Sequence, residues 1–181
     1  MFGRLCGFVY FKLIGWKLSG PHPNEVPRKV IIVVPHTSGW DFPLGLLVKY
    51  YWKLRITFVG KKALFKWPLN QFFRMFGVIP IDRSKGQSAV EGIVELFNQN
   101  KLDTIGLAPE GTRKKVKKLK SGYYRIATAL DIPVIMVKFD YKNKEMSFSE
   151  PLHLKGDKLL EMKQIENYFR GTMGKVPENS F

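Results

Sequence analysis

The chain has 181 residues, 45% of them apolar, which suits one domain with a substantial core. Thirty Lys and Arg against fifteen Asp and Glu give +15, so an anionic partner is expected: a phospholipid surface, an acidic carrier protein or nucleic acid. No apolar run reaches the ~18 residues of a bilayer span. The single cysteine, Cys6, excludes an intrachain disulfide, and three histidines leave little material for zinc, so no metal is expected.

Residues 1–18 carry Phe2, Leu5, Val9, Leu13 and Trp16 at helical spacing, widened by Phe8, Phe11 and Ile14. Arg4, Lys12 and Lys17 interrupt this stripe too often for a span but suit the phosphate level of a membrane. The same stripe would also serve a helix packed on the core. A signal peptide is disfavoured, since no clean apolar stretch or small-residue cleavage site follows. Ser19 to Asn24 is a turn-rich break, which predicts an N-terminal amphipathic membrane-interface helix over 1–20 and the main domain over 21–181.

Strands are predicted over 29–35, 56–60, 78–82, 103–108, 133–140 and 144–149. Helices are predicted over 42–53, 61–76 (broken by Pro68), 87–100, 120–130 and 157–170. The alternation argues a single α/β domain with a mixed, largely parallel central sheet flanked by helices. Its antiparallel component is the hairpin read at Lys142-Asn-Lys144. In such sheets ligands bind beyond the carboxyl ends of the strands.

Three clusters fall at those ends. His36-Thr-Ser-Gly-Trp-Asp41 sets an imidazole and a carboxylate five positions apart, so a turn can fold Asp41 back onto His36. An imidazole held this way takes a proton from a hydroxyl and its imidazolium is stabilised. Asp41 also reads as a helix N-cap before Phe42-Pro43. Ser38, two residues from His36 and without a Gly-x-Ser-x-Gly elbow, is assigned to local backbone bonding rather than to nucleophilic attack.

Pro109-Glu-Gly-Thr-Arg113 combines a carboxylate, a flexible glycine, a hydroxyl and a guanidinium, a set suited to gripping a phosphate. Glu110 would orient Arg113 or bond an acceptor hydroxyl, Gly111 lets the backbone approach closely, and Thr112 adds a hydroxyl. Gly77 to Arg83 ends a strand with a second arginine. A lone arginine there would be a solvated charge, whereas two at one sheet edge favour binding. From Arg113 to Lys120 six cations occupy eight residues. This run lacks the interleaved aromatics of a nucleic-acid patch and fits anionic lipid headgroups or an acidic carrier protein.

Taken in order, these clusters resemble the glycerolipid acyltransferases, the family of glycerol-3-phosphate and lysophosphatidic acid acyltransferases. The matching segments are His36 to Asp41, Gly77 to Arg83, Pro109 to Arg113 and the apolar run Ile132 to Val137, with Lys61 opening the segment before the second. Four motifs in order over residues 28 to 140 are far more specific than one. Pro35 and Lys114 replace the Asn and Ser that many members carry beside the first and third motifs, which marks a divergent branch.

The resemblance implies that His36 and Asp41 are catalytic and that Lys61, Arg83, Glu110, Gly111, Thr112 and Arg113 bind substrate. It implies acyl transfer from a thioester, on coenzyme A or acyl carrier protein, to a lysophospholipid hydroxyl, with 1-acylglycerol 3-phosphate the preferred acceptor. No cofactor and no nucleic acid enter this expectation. The protein would sit as a peripheral, monotopic enzyme on the cytoplasmic face of an anionic membrane. A non-catalytic module binding anionic lipid is the alternative, although it would need neither His36 nor Asp41.

Overall fold

A computed structural model of the chain describes residues 2–61, 65, 69–81 and 89–181. Among these, one sheet is built from β1 (Lys17–Ser19), β2 (Lys29–Val34), β3 (Thr57–Lys61), β4 (Val78–Ile81), β5 (Thr104–Leu107), β6 (Val134–Asp140) and β7 (Glu145–Phe148). Their spatial order is β1-β7-β6-β2-β5-β3-β4. Strands β2 to β6 run parallel, while β7 returns antiparallel to β6 and β1 lies parallel to β7. The sheet is therefore mixed and largely parallel, as the alternation predicts.

The sequence of β2 explains its central place. Its five consecutive Val and Ile residues alternate across the sheet, with Val30, Ile32 and Val34 entering one core and Ile31 the other. A strand apolar on both faces requires cover on both. On one side lie α4 (Ala89–Asn98), α5 (Gly122–Leu130) and α6 (Lys158–Phe169), through Phe97, Tyr123, Ile126, Ile165 and Phe169. On the other lies α2 (Asp41–Tyr51), through Leu44 and Val48, together with Tyr10 and Trp16. The short α3 (Leu69–Met75) joins this second side, with Phe73 and Phe76 in ring contact with Phe42 of α2.

Of the helix predicted over 61–76, residues 62–64 and 66–68 lie outside the described residues. Among the described ones, Lys61 is claimed by β3, where it pairs with Ile81, and Leu69–Met75 is helical. The edge strand β1 has no counterpart in the sequence reading. Lys17–Ser19 pairs with Glu145–Ser147, and Ser19 Oγ donates to Glu145 Oε1 at 2.5 Å. The expected boundary at residue 20 thus falls inside the sheet domain, because long-range pairing recruits the residues just before the break.

At the N-terminus, α1 (Phe2–Phe8) passes into a π-helical turn over Val9–Leu13. Cys6, Tyr10 and Trp16 face inward, 0–5% exposed, while Phe2, Leu5, Phe8 and Leu13 are 54–67% exposed. The segment therefore has a core face and a separate apolar outer face. Among the described residues, no helix is long and apolar enough to cross a membrane.

Candidate active site

The sharp connection from β2 to α2 brings the first cluster together. Asp41 is the first residue of α2, with Trp40 in the N-cap position, so its carboxylate is not the cap that the sequence also allowed. It turns back instead. Asp41 Oδ2 lies 2.8 Å from His36 Nδ1 and accepts from Ser38 N–H at 3.0 Å. Asp41 is 4% exposed, whereas the imidazole is partly open. With Nδ1 occupied, Nε2 is the nitrogen left to meet a hydroxyl, the arrangement a general base needs. Ser38 Oγ accepts from Trp40 N–H at 3.2 Å, in keeping with its reading as a local backbone ligand.

A second layer fixes this loop from three directions. Glu110, in the loop after β5, is 1% exposed, and its Oε2 accepts from the His36 backbone N–H at 2.6 Å. Burial pushes its carboxyl up to about 7, although the His36 N–H works against that rise. Glu110 therefore sits behind the imidazole as a clamp on its backbone rather than in open contact with a ligand.

Tyr141, the residue after β6, donates its hydroxyl to Asp41 Oδ1 at 2.7 Å. Burial and that hydrogen bond raise the phenol above its ordinary range, so it stays protonated and remains a donor. Finally, Thr37 Oγ1 accepts from Val176 N–H at 3.1 Å. Gly174 packs so closely that a Cβ there would lie 2.5 Å from Thr37 Oγ1, so only glycine fits. The strand-end residue Tyr141 also donates its N–H to Met173 O at 2.8 Å, tying the same C-terminal strap to β6.

The Pro109–Arg113 cluster lies beside this loop. Gly111 adopts φ +66°, a conformation that favours glycine, and the turn is closed by Gly111 N–H to Ala108 O and Lys120 N–H to Pro109 O. Thr112 Oγ1 accepts from Lys114 N–H at 3.3 Å. Arg113 is exposed and reaches across to the first cluster: its Nη1 would stand 3.7 Å from a Cβ built on Gly39. Lys120 folds over Gly111. Lys61 ends β3 at the same edge of the sheet, while Arg83 lies outside the described residues.

His36, Asp41, Glu110 and Arg113 are thus brought together as their spacing implies. Tyr141 and the strap at 173–176 were not found by the sequence reading. The position of Tyr141, directly after a strand and at the carboxyl edge, was the one signal available. The basic run is anchored near its far end. Leu119 is buried against the α4–α5–α6 core, and its N–H donates to Glu166 of α6 at 3.0 Å. The run therefore follows the face of the sheet opposite α1 and α2. Among the described residues, no three His, Cys, Asp or Glu side chains gather as a metal site requires.

The model of the acyltransferase family matches residues 17–139, well over half of the chain. In structure the chain is similar to the 1-acyl-sn-glycerophosphate (LPA) acyltransferase PlsC from Thermotoga maritima, with a TM-score of 0.60 at 20% identity. That likeness covers 92% of this chain and 74% of the other, and at this identity it is a likeness of fold. No curated protein matches the sequence.

Proposed function

This chain belongs to the acyltransferase family, and from that premise we propose that it transfers a fatty acyl group from a thioester to a lysophospholipid hydroxyl. The acceptor we favour is 1-acylglycerol 3-phosphate. The donor is acyl-coenzyme A or an acyl carrier protein. The observation that carries the reading is the 2.8 Å pair of His36 Nδ1 and Asp41 Oδ2 at the carboxyl edge of the sheet, with Arg113 alongside.

In this mechanism Asp41 keeps the proton on Nδ1, which leaves Nε2 basic. Nε2 takes the hydroxyl proton as the acceptor oxygen attacks the thioester carbonyl. The C–O bond forms, the C–S bond breaks, and the proton passes from the imidazolium to the departing thiolate. No acyl-enzyme is required. Arg113 grips the acceptor phosphate, with Lys61 and Arg83 as further cationic ligands and Gly111 and Thr112 shaping the loop.

An acceptor of this kind resides in a bilayer. The outer face of the N-terminal segment suits its surface, since Phe2, Leu5, Phe8 and Leu13 are exposed between the exposed cations Arg4 and Lys12. Phe72 and Met75 of α3 add apolar surface on the same side of the sheet. We therefore read the protein as monotopic, seated through this side on the anionic cytoplasmic face of a membrane. The close His36–Asp41 pair weighs against a lipid-binding module without catalysis, because binding alone needs no such pair.

The test is thioester-dependent acylation of a lysophospholipid by wild type and His36→Ala, with products identified by mass spectrometry. Turnover should fall at least about 100-fold, the low end for removing a general base. Equal turnover in the variant would refute the mechanism.

A further inference from the structure

Beyond Arg113 the basic run has no part in the mechanism above, and it lies away from the face read as meeting a membrane. Leu119 and Glu166 hold it on the α5–α6 side, away from the exposed apolar side chains of α1 and α3. A membrane meeting those apolar side chains leaves the run free for something else. On this far side Lys115, Lys117 and Arg170 converge on a cleft of about 710 Å³, completed by Val116, Gly171 and Phe181. That volume lies within the range of small-molecule sites, roughly 300–1,000 Å³. The Arg170 guanidinium stands 5.7 Å from the centre of the Phe181 ring, so a cation and an aromatic face are presented together.

We propose that this cleft seats the nucleotide end of the acyl donor, the adenosine 3′,5′-bisphosphate portion of coenzyme A. The inference rests on the acyl-transfer reading given above. Three separated cations match a ligand that carries phosphates at both ends of its ribose, and an aromatic ring with an apolar neighbour matches adenine. Arg113 lies against Gly39 of the loop that carries His36, and Lys115 and Lys117 follow it by two and four residues, so the cleft and that loop are joined through one short segment. Glu166, the acid beside the run, accepts the Leu119 N–H and so anchors the segment to α6. Donor and acceptor then approach from opposite sides of the sheet and do not compete for one entrance.

The experiment uses the full chain, with Lys115→Gln/Lys117→Gln and, separately, Arg170→Gln. These side chains are exposed, so both proteins should melt as wild type does. Calorimetric titration with adenosine 3′,5′-bisphosphate should show binding to wild type, weakened at least about tenfold in each variant, the loss of one charge-assisted contact or, in the double variant, two. The ratio of KM for acyl-coenzyme A to KM for acyl-pantetheine, which lacks the nucleotide, should rise by a similar factor. No binding of the nucleotide by wild type, or equal binding by the variants, overturns the proposal. So does a loss confined to vesicle binding, or to transfer from acyl carrier protein. If wild type binds the nucleotide and the variants do not, while no acyl group is transferred from any donor, the site stands and the acyl-transfer reading falls.

Discussion

Replacing Glu110 by Gln isolates the clamp behind the imidazole. Burial raises this carboxyl from 4.5 to about 7, so the folded protein holds the proton more tightly than the unfolded chain. Linkage then fixes the sign. The stabilisation is complete below about pH 4.5 and is lost as pH rises through about 7, because a buried carboxylate must then be ionised. At about 1.4 kcal/mol per tenfold change, the swing is about 3 kcal/mol. For a domain of this size that is a melting shift of about 6–12 °C. Gln keeps an oxygen that can accept the His36 N–H but carries no titrating proton. The measurement is the melting temperature of wild type and Glu110→Gln from pH 4.5 to 8 at fixed ionic strength. The variant's melting point, relative to wild type, should climb through that window and level off above it. A constant gap across the window would show that Glu110 is not held as its burial and its bond to His36 imply.

Tyr141→Phe removes one of three donors to the buried Asp41 and should lower stability by about 1.5–3 kcal/mol, read by denaturant unfolding. Turnover should also fall, since Asp41 then keeps its place beside His36 with one fewer donor; unchanged turnover at lowered stability would make Tyr141 merely structural. Arg113→Lys should raise the acceptor KM by about tenfold with a smaller change in kcat, because a compact ammonium cannot reproduce the two-pronged grip on phosphate. Leu5→Glu/Leu13→Glu should weaken co-sedimentation with anionic vesicles without lowering the melting temperature, as both side chains already face solvent. Undiminished sedimentation would remove α1 from the membrane contact.

The strands that the sequence reveals are those whose own side chains demand burial. Val30 to Val34 and Val134 to Val137 are apolar on both faces, and nothing but a covered sheet satisfies them. Lys17–Ser19 carries no such demand. It is a strand because Glu145–Ser147 offers it an edge, and pairing across that distance leaves no local trace. Lys61 was misassigned for a related reason: the apolar pattern around it fits a helix, but partners on β4 claim its backbone. The His36–Asp41 contact was legible because its members are five residues apart and a single turn joins them. Tyr141, 100 residues from Asp41, and Val176, 139 from Thr37, could be attached to the loop only once the order of the strands was known.

That dependence on distant residues gives the enzyme a history as well as a shape. The central strand β2 takes its neighbours from residues 104–107 and 134–140, and the loop after it is braced by residues 173–176. A ribosome releases these segments in that order, so the loop is translated before the strands that flank it and before its brace. Contacts so remote in sequence close slowly. A nascent chain already bearing His36 and Asp41 therefore cannot keep them aligned until the strap beyond β7 has emerged and docked. Acyl transfer would begin only once residues 173–176 have docked against Thr37 and Tyr141.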